Sequence, residues 1–248
     1  MARSNSDIWF WDLPAALVLL TRLPVPPLPD RAFANAARAV WAYPLVGLLL
    51  GGLVALLYTA LGLVGLPDML VAGIVLVALV MMTGAMHEDG LADSADGLWG
   101  GLDRARRLEI MKDSRIGTYG VLALVLAMGL RWLGYAEVSI AEIVAALVVS
   151  RAAMPPLMHA LPHARDGGLS KSVGKPTLGP VCAAVIIAAV GLFLLAGPMG
   201  GVALIIATLA TGAMAWLART KIGGQTGDIL GATQIVVEIA VLLVFATH

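Results

Sequence analysis

Apolar segments of bilayer-spanning length recur along this chain, and that recurrence limits its fold more than any motif does. A helix needs about 20 mostly apolar residues to cross the hydrocarbon core of a membrane. Six segments meet or approach that length, at about 40–62, 69–87, 116–136, 139–161, 177–197 and 229–247, and a shorter seventh lies at about 199–217. The chain is 60% hydrophobic and 13% charged, whereas soluble domains run at about 45–50% and about 25%. A soluble fold of 248 residues has no interior large enough to hide that much apolar surface. The expected class is all-α: a polytopic integral-membrane helical bundle of about seven transmembrane helices, read as a single membrane-embedded domain over 1–248 without internal repeats.

The stretch 8–23, IWFWDLPAALVLLTRL, is too interrupted to span. Its Trp9, Phe10 and Trp11 suit the headgroup level, so an N-terminal interfacial or re-entrant helix is expected there. The prolines of LPVPPLPD stop it. Asp12 and Pro14 interrupt any signal-peptide pattern. Orientation follows from the basic residues. With seven spans and a cytoplasmic N-terminus, all of the 16 Lys and Arg except Arg131 and Arg151 fall on the cytoplasmic side. That asymmetry predicts a cytoplasmic or interfacial segment over 1–38, a cytoplasmic active-site region over 87–115, and a multi-pass protein of the bacterial inner membrane. A net charge of zero argues against nucleic acid as a partner, and membrane lipid is the expected surrounding. An oligomer is compatible with the sequence. Cys182 stands alone, which rules out a disulfide framework and reads as a small apolar packing residue.

Four carboxylates, Glu88, Asp89, Asp93 and Asp96, crowd into HEDGLADSADG (87–97), directly after the second apolar segment. If that segment continues as a helix past Met86, Asp89, Asp93 and Asp96 share one narrow face at i, i+4 and i+7. Like charges so placed repel unless a cation lies between them. Oxygen-only ligands select a hard cation, Mg²⁺ or its substitute Mn²⁺. Glu88 lies off that face, as a supporting group or a ligand to a second ion, and His87 stands behind the ligands. A merely solvated acidic helix end is the blander account; it fits poorly, because acids near a helix C-terminus oppose the macrodipole.

The next stretch supplies the opposite sign. Arg104, Arg106, Arg107, Lys112 and Arg115 lie in 100–120, which ends in KDSRIGTYG at the start of a span. Carboxylates for a metal beside cations for phosphate form the layout of a phosphoryl-transfer site. Some of these cations serve only as positive-inside residues. Elsewhere, Asp228 in KIGGQTGD is either a helix N-cap or a metal or ribose contact. Arg151, inside a span and just ahead of Pro155-Pro156, must face a polar cavity or an acid, and Glu142 or a cluster acid is the expected partner. Arg131 is expected to snorkel outward. His159 and His163 read as helix-end residues, and Glu238 as a hydrogen-bond partner or packing contact within the last span. The loop GGLSKSVGKP (167–176) is a weak phosphate-cradle pattern.

HEDGLADSADGLWGG followed by EIMKDSRIGTYG strongly resembles the cobalamin synthase family, the adenosylcobinamide-GDP ribazoletransferases. TRLPVP (21–26), HARDGGLSK (163–171) and GGQTGDILGA (223–232) support the resemblance. It implies a Mg²⁺-dependent membrane enzyme that joins adenosylcobinamide-GDP to α-ribazole or its 5′-phosphate and releases GMP. With the acid cluster and the basic stretch, this reading expects catalytic Asp89, Asp93 and Asp96, metal contacts from these with Glu88 and Asp228, and substrate contacts from Arg104, Lys112, Asp113, Ser114, Arg115, Thr118 and Arg151. Asp93 to Gly97 is further similar to the D-x-x-D-G opening of CDP-alcohol phosphotransferases. Gly100 and Gly101 depart from that signature, and Ala232 stands where its last Asp would be. The general base is thus open among Asp89, Asp113 and Asp228. Two other readings are carried forward, a CDP-alcohol phosphotransferase of phospholipid synthesis and a cation-coupled transporter with the acids as its ion site.

Overall fold

In hydrocarbon a backbone amide finds no water, so each apolar segment closes its hydrogen bonds within a helix. The computed structural model describes residues 10–247, which contain helices and no β-strand. In order these are α1 (Asp12–Leu20), α2 (Tyr43–Leu63), α3 (Asp68–Thr83), α4 (Met86–Gly100), α5 (Arg104–Ile110) and α6 (Thr118–Glu137). There follow α7 (Ile140–Ala152), α8 (Met154–Ala160), α9 (Leu169–Val173), α10 (Leu178–Ala196), α11 (Met199–Ile222) and α12 (Gly227–Phe245). Six spans are long and apolar enough to cross a membrane: Arg38–Leu63, α6, Ile140–Ala160, α10, α11 and α12. The bent pair α3 and α4 makes a seventh when the two are counted as one broken span. The molecule is a polytopic membrane helical bundle, as the apolar segments predict.

Within it, α12 and the span Ile140–Ala160 form the buried centre, with 67% and 78% of their apolar windows covered, against 22–28% for the other four unbent spans. Gly47 lets α2 lie against the Leu147 carbonyl of α7, where a side chain would collide with backbone. A capping box between Ser139 and Glu142 opens α7. Glu142 is committed there, at the end of α7 remote from Arg151, so it is not the arginine's partner. Pro155 and Pro156 sit in the first turn of α8, where their missing donors cost nothing. Cys182 is exposed on α10 rather than packed inside.

The second apolar segment does not run on as one helix. α3 ends at Thr83, α4 restarts at Met86, and the two are bent by 87°. Both linking residues are left-handed, Gly84 at φ 64° and Ala85 at φ 55°. Glycine adopts that geometry freely, whereas alanine there costs roughly 1–2 kcal/mol. The segment after α1 crosses the break: the Arg22 N–H donates to the Met82 carbonyl at 2.7 Å, and the Arg22 side chain covers Gly84. α1 itself has nine residues, too few to span. Buried Asp12 ties it down by accepting from Arg38 (2.7 and 3.0 Å) and from the Trp41 indole (2.9 Å). Trp9 lies outside the described residues.

Candidate active site

The acid-bearing helix α4 is held at two points. At its start, Arg131 of α6 donates to Glu88 at 2.6 Å and to Glu238 of α12 at 2.8 Å, with the arginine 1% and Glu238 0% exposed. Glu238 also accepts from Tyr135 and from Gln234 (2.7 Å), and the Arg151 guanidinium lies 3.7 Å away. Two arginines and two glutamates thus form a charge-balanced cluster buried among α4, α6, α7 and α12. This corrects three expectations. Arg131 does not snorkel outward, because two carboxylates draw it inward. Arg151 is not placed to touch substrate and pairs with Glu238. Glu88 has one oxygen committed to Arg131 and is buried beside Glu238 on the same arginine.

Near the other end of α4, both oxygens of Asp96 accept backbone amides, from Gly117 at 2.7 Å and from Gly120 at 2.9 Å. These are the opening residues of α6, whose free N–H groups favour a carboxylate. Gly117 and Gly120 leave no Cβ to obstruct the contact. Asp96 therefore fastens α4 to α6. The expected face at i, i+4 and i+7 is divided, with Asp96 facing α6 while Asp89 and Asp93 stand clear.

The Asp89 and Asp93 side chains form no hydrogen bond or ion pair among the described residues. Asp93 lies within the electrostatic reach of Asp89, Asp228, Asp96 and Arg165. Asp228, at the start of α12, ion-pairs with Arg165 at 3.1 Å and accepts from Thr226. Gly90 permits this meeting: a Cβ there would lie 2.9 Å from the Asp228 carbonyl oxygen. Arg165 is delivered by the loop after α8, which pairs with the loop before α12. The Ala164 N–H donates to Gln225 at 2.9 Å, and the Gln225 N–H donates to Pro162 at 2.8 Å. His163, Ser170 and Gln225 join side chains behind this pairing, and burial lowers the His163 pKa, with Lys171 and Lys175 acting in the same sense. Arg104 bonds the Ala164 carbonyl at 3.1 Å and so supports the loop.

A cavity of about 210 Å³ opens here, lined by Tyr43, His87, Asp89, Met158, Arg165 and Asp228 among others. Lys112, Ser114, Arg115 and Thr118 are exposed and do not line it. Asp113 is locked to Arg115, whose hydrogen bonds hold its carboxyl pKa down at about 2. Asp113 also lies outside the cavity lining, which leaves Asp89 and Asp228 as the candidate bases beside the cavity. Sequence reasoning missed Arg165. Its only signal was the charge within HARDGG, a motif noted without a role.

As the side chains stand, no group of three or more His, Cys, Asp or Glu among the described residues is arranged around a common metal position. The donor chemistry nonetheless fits a hard divalent cation. Asp89 and Asp93 offer unengaged carboxylates, Asp228 faces them, and the one cation among them is Arg165.

Fold and site together define a polytopic membrane protein with a cavity lined by two aspartates and an arginine. Residues 12–246 match the family described as cobalamin-5-phosphate synthase. The chain belongs to this family. It is 46% identical over 241 residues to a Bradyrhizobium diazoefficiens protein, covering 95% of this chain and 93% of that one. It is 44% identical over 238 residues to one from Mesorhizobium japonicum, covering 94% and 92%. It is 40% identical over 248 residues to one from Azorhizobium caulinodans, covering 94% of each. All three are named adenosylcobinamide-GDP ribazoletransferase. No solved structure matches this chain. Membership sets aside the phospholipid-synthesis and transporter readings.

Proposed function

We propose that this chain is an adenosylcobinamide-GDP ribazoletransferase of cobalamin biosynthesis, working with Mg²⁺ at the cytoplasmic face of the inner membrane. The observation that carries this is the meeting of Asp89, Asp93, Asp228 and Arg165 beside one cavity. Asp89 and Asp93, with Asp228, would hold the ion. When bound, Mg²⁺ (or Mn²⁺) supplies a counter-charge for the pyrophosphate oxygens. Arg165 has one guanidinium nitrogen on Asp228 and another, Nη1, buried without a partner among the described residues, and so offers a donor to a phosphoryl oxygen. A hydroxyl of α-ribazole or its 5′-phosphate attacks the phosphorus bearing the cobinamide arm. The new P–O bond forms as the bond to GMP breaks, and the hydroxyl proton passes to Asp89 or Asp228. The cytoplasmic placement is supported by the distribution of Lys and Arg.

The test is GMP release from adenosylcobinamide-GDP by the purified full-length protein, with and without α-ribazole and Mg²⁺, alongside Asp93→Asn. Release that needs both additions and collapses in the folded variant is expected. A folded wild type that releases no GMP with either metal in several lipids refutes the assignment.

A further inference from the structure

Arg165 reaches the site on an irregular loop, so no helix geometry fixes where its guanidinium lies. The segment that carries it, 163–170, is instead closed into a ring by one side chain from the loop before α12. Gln225, 1% exposed, accepts the Ser170 hydroxyl on Oε1 and donates through Nε2 to His163 Nδ1 at 3.0 Å. Ser170 is itself buried, and its hydroxyl oxygen lies 3.3 Å from the same Nδ1. Donors and acceptors match: the hydroxyl gives its one proton to the amide oxygen, the amide nitrogen is thereby turned to His163, and the neutral imidazole accepts at Nδ1. The backbones of His163 and Gln225 are bridged as well, and a Cβ on Gly224 would collide with the Pro162 carbonyl. Between the two gripped ends, the Arg165 guanidinium is confined on two sides. It pairs with Asp228 at 3.1 Å, and a Cβ on Gly168 would stand 3.2 Å from its Nη2. Gly168, at φ 97°, closes the ring in a conformation that glycine adopts freely.

Resting on the proposed transferase reading, we infer that Gln225 is a positioning residue for phosphoryl transfer: with His163 and Ser170 it aims Arg165, so that Nη1 faces a phosphoryl oxygen while Nη2 stays on Asp228. Neither Gln225 nor His163 lines the acid-lined cavity, so both act through the arginine and not on substrate. The reach is short, since Gln225 precedes Asp228 by three residues and His163 precedes Arg165 by two. With the ring cut, the loop keeps its backbone bonds and the Arg104 brace but loses the link between its two ends. A shift of about 1 Å in a group that orients substrate costs up to about 10²-fold in rate. A latch that served stability alone would lower the melting temperature and leave the turnover of folded molecules unchanged.

The test measures GMP release at saturating adenosylcobinamide-GDP, α-ribazole and Mg²⁺, in full-length protein checked by gel filtration and melting temperature in detergent. Gln225→Met keeps the length of the side chain and removes both bonds, and kcat should fall about tenfold to 10²-fold. In an Arg165→Lys background the same substitution should cost less than about threefold, because the group it aims is already gone. His163→Leu should behave as Gln225→Met does. His163→Asn should restore kcat to within about threefold of wild type, since its amide oxygen accepts from Nε2 where Nδ1 did. Equal fractional losses in both backgrounds would make Gln225 independent of Arg165 and overturn the inference. So would a lowered melting temperature with kcat unmoved, or a His163→Asn no better than His163→Leu. If Gln225→Met does not fold, the same cycle is run with His163→Leu, at a position that is only part-buried. The transferase reading fails differently, through a wild type that releases no GMP, and the role of Gln225 falls with it.

Discussion

Replacing Arg131 by methionine removes the cation that joins α4, α6 and α12 while keeping an apolar stem of similar length. Two carboxylates, Glu88 and Glu238, lose bonds of 2.6 and 2.8 Å. The cluster goes from two cations and two anions to one cation and two anions. Arg151 remains 3.7 Å from Glu238, so Glu88 is the group left without compensation. Breaking one partner out of a buried pair costs about 3–5 kcal/mol. At about 2–4 °C per kcal/mol for a chain of this length, the melting temperature falls by roughly 6–20 °C. The assay is thermal unfolding in detergent, followed by the monodisperse fraction that survives heating. The decisive arm is the double variant Arg131→Met with Glu88→Gln, in which the remaining Arg151 and Glu238 again balance. It should recover at least half of the loss, since neutral replacement of a whole buried pair costs far less than breaking it. A double variant no more stable than Arg131→Met alone would mean that packing, not charge, holds α4 there, and would refute the reasoning.

Asp96→Asn keeps one acceptor for two amides and gives up the charge, so it should lower stability by about 1–3 kcal/mol; Asp93→Asn, with no partner to lose, should leave the melting temperature level or raised while abolishing GMP release. Arg165→Lys keeps the charge but loses the fork that reaches Asp228 and a phosphoryl oxygen together, and kcat should fall about 10²–10³-fold with folding intact by gel filtration. Gly90→Val sets a branched side chain against the Asp228 backbone, and overpacking of about 1–3 kcal/mol should appear in detergent melts together with loss of turnover. Asp113→Asn should change the GMP-release rate by no more than about twofold, and a large loss would return Asp113 to the mechanism.

The spans were legible in the sequence because lipid imposes a length and a composition that local residues must satisfy. Even the short segment at 199–217 is the core of α11 (Met199–Ile222). The break at Gly84–Ala85 was not legible. An apolar run continues to Met86, and a glycine within such a run does not announce a stop; in the fold Gly84 takes a left-handed cap, its amide and that of Ala85 returning to the Met81 and Val80 carbonyls, while Arg22, some 60 residues earlier in the chain, lies across the break. The acids were found by spacing, which fixes a face of a helix but not what the face meets. Asp96 turned to amides of α6, and Glu88 to an arginine 43 residues away. Arg165 escaped notice because a lone arginine in a glycine-bearing loop has no periodicity. Only the pairing of the 162–164 and 225 backbones brings it to Asp228.

The two anchors of α4 also decide where the protein can yield. A beam clamped near both ends transmits load but does not swing, and Asp89 and Asp93 sit between the Glu88 and Asp96 clamps. On the opposing side Asp228 opens α12, part of the buried centre, and Arg165 alone rides on a loop, held by two backbone bonds to Gln225 and one brace from Arg104. What give the site has therefore belongs to the Arg165 loop, with α4 and the start of α12 as fixed walls.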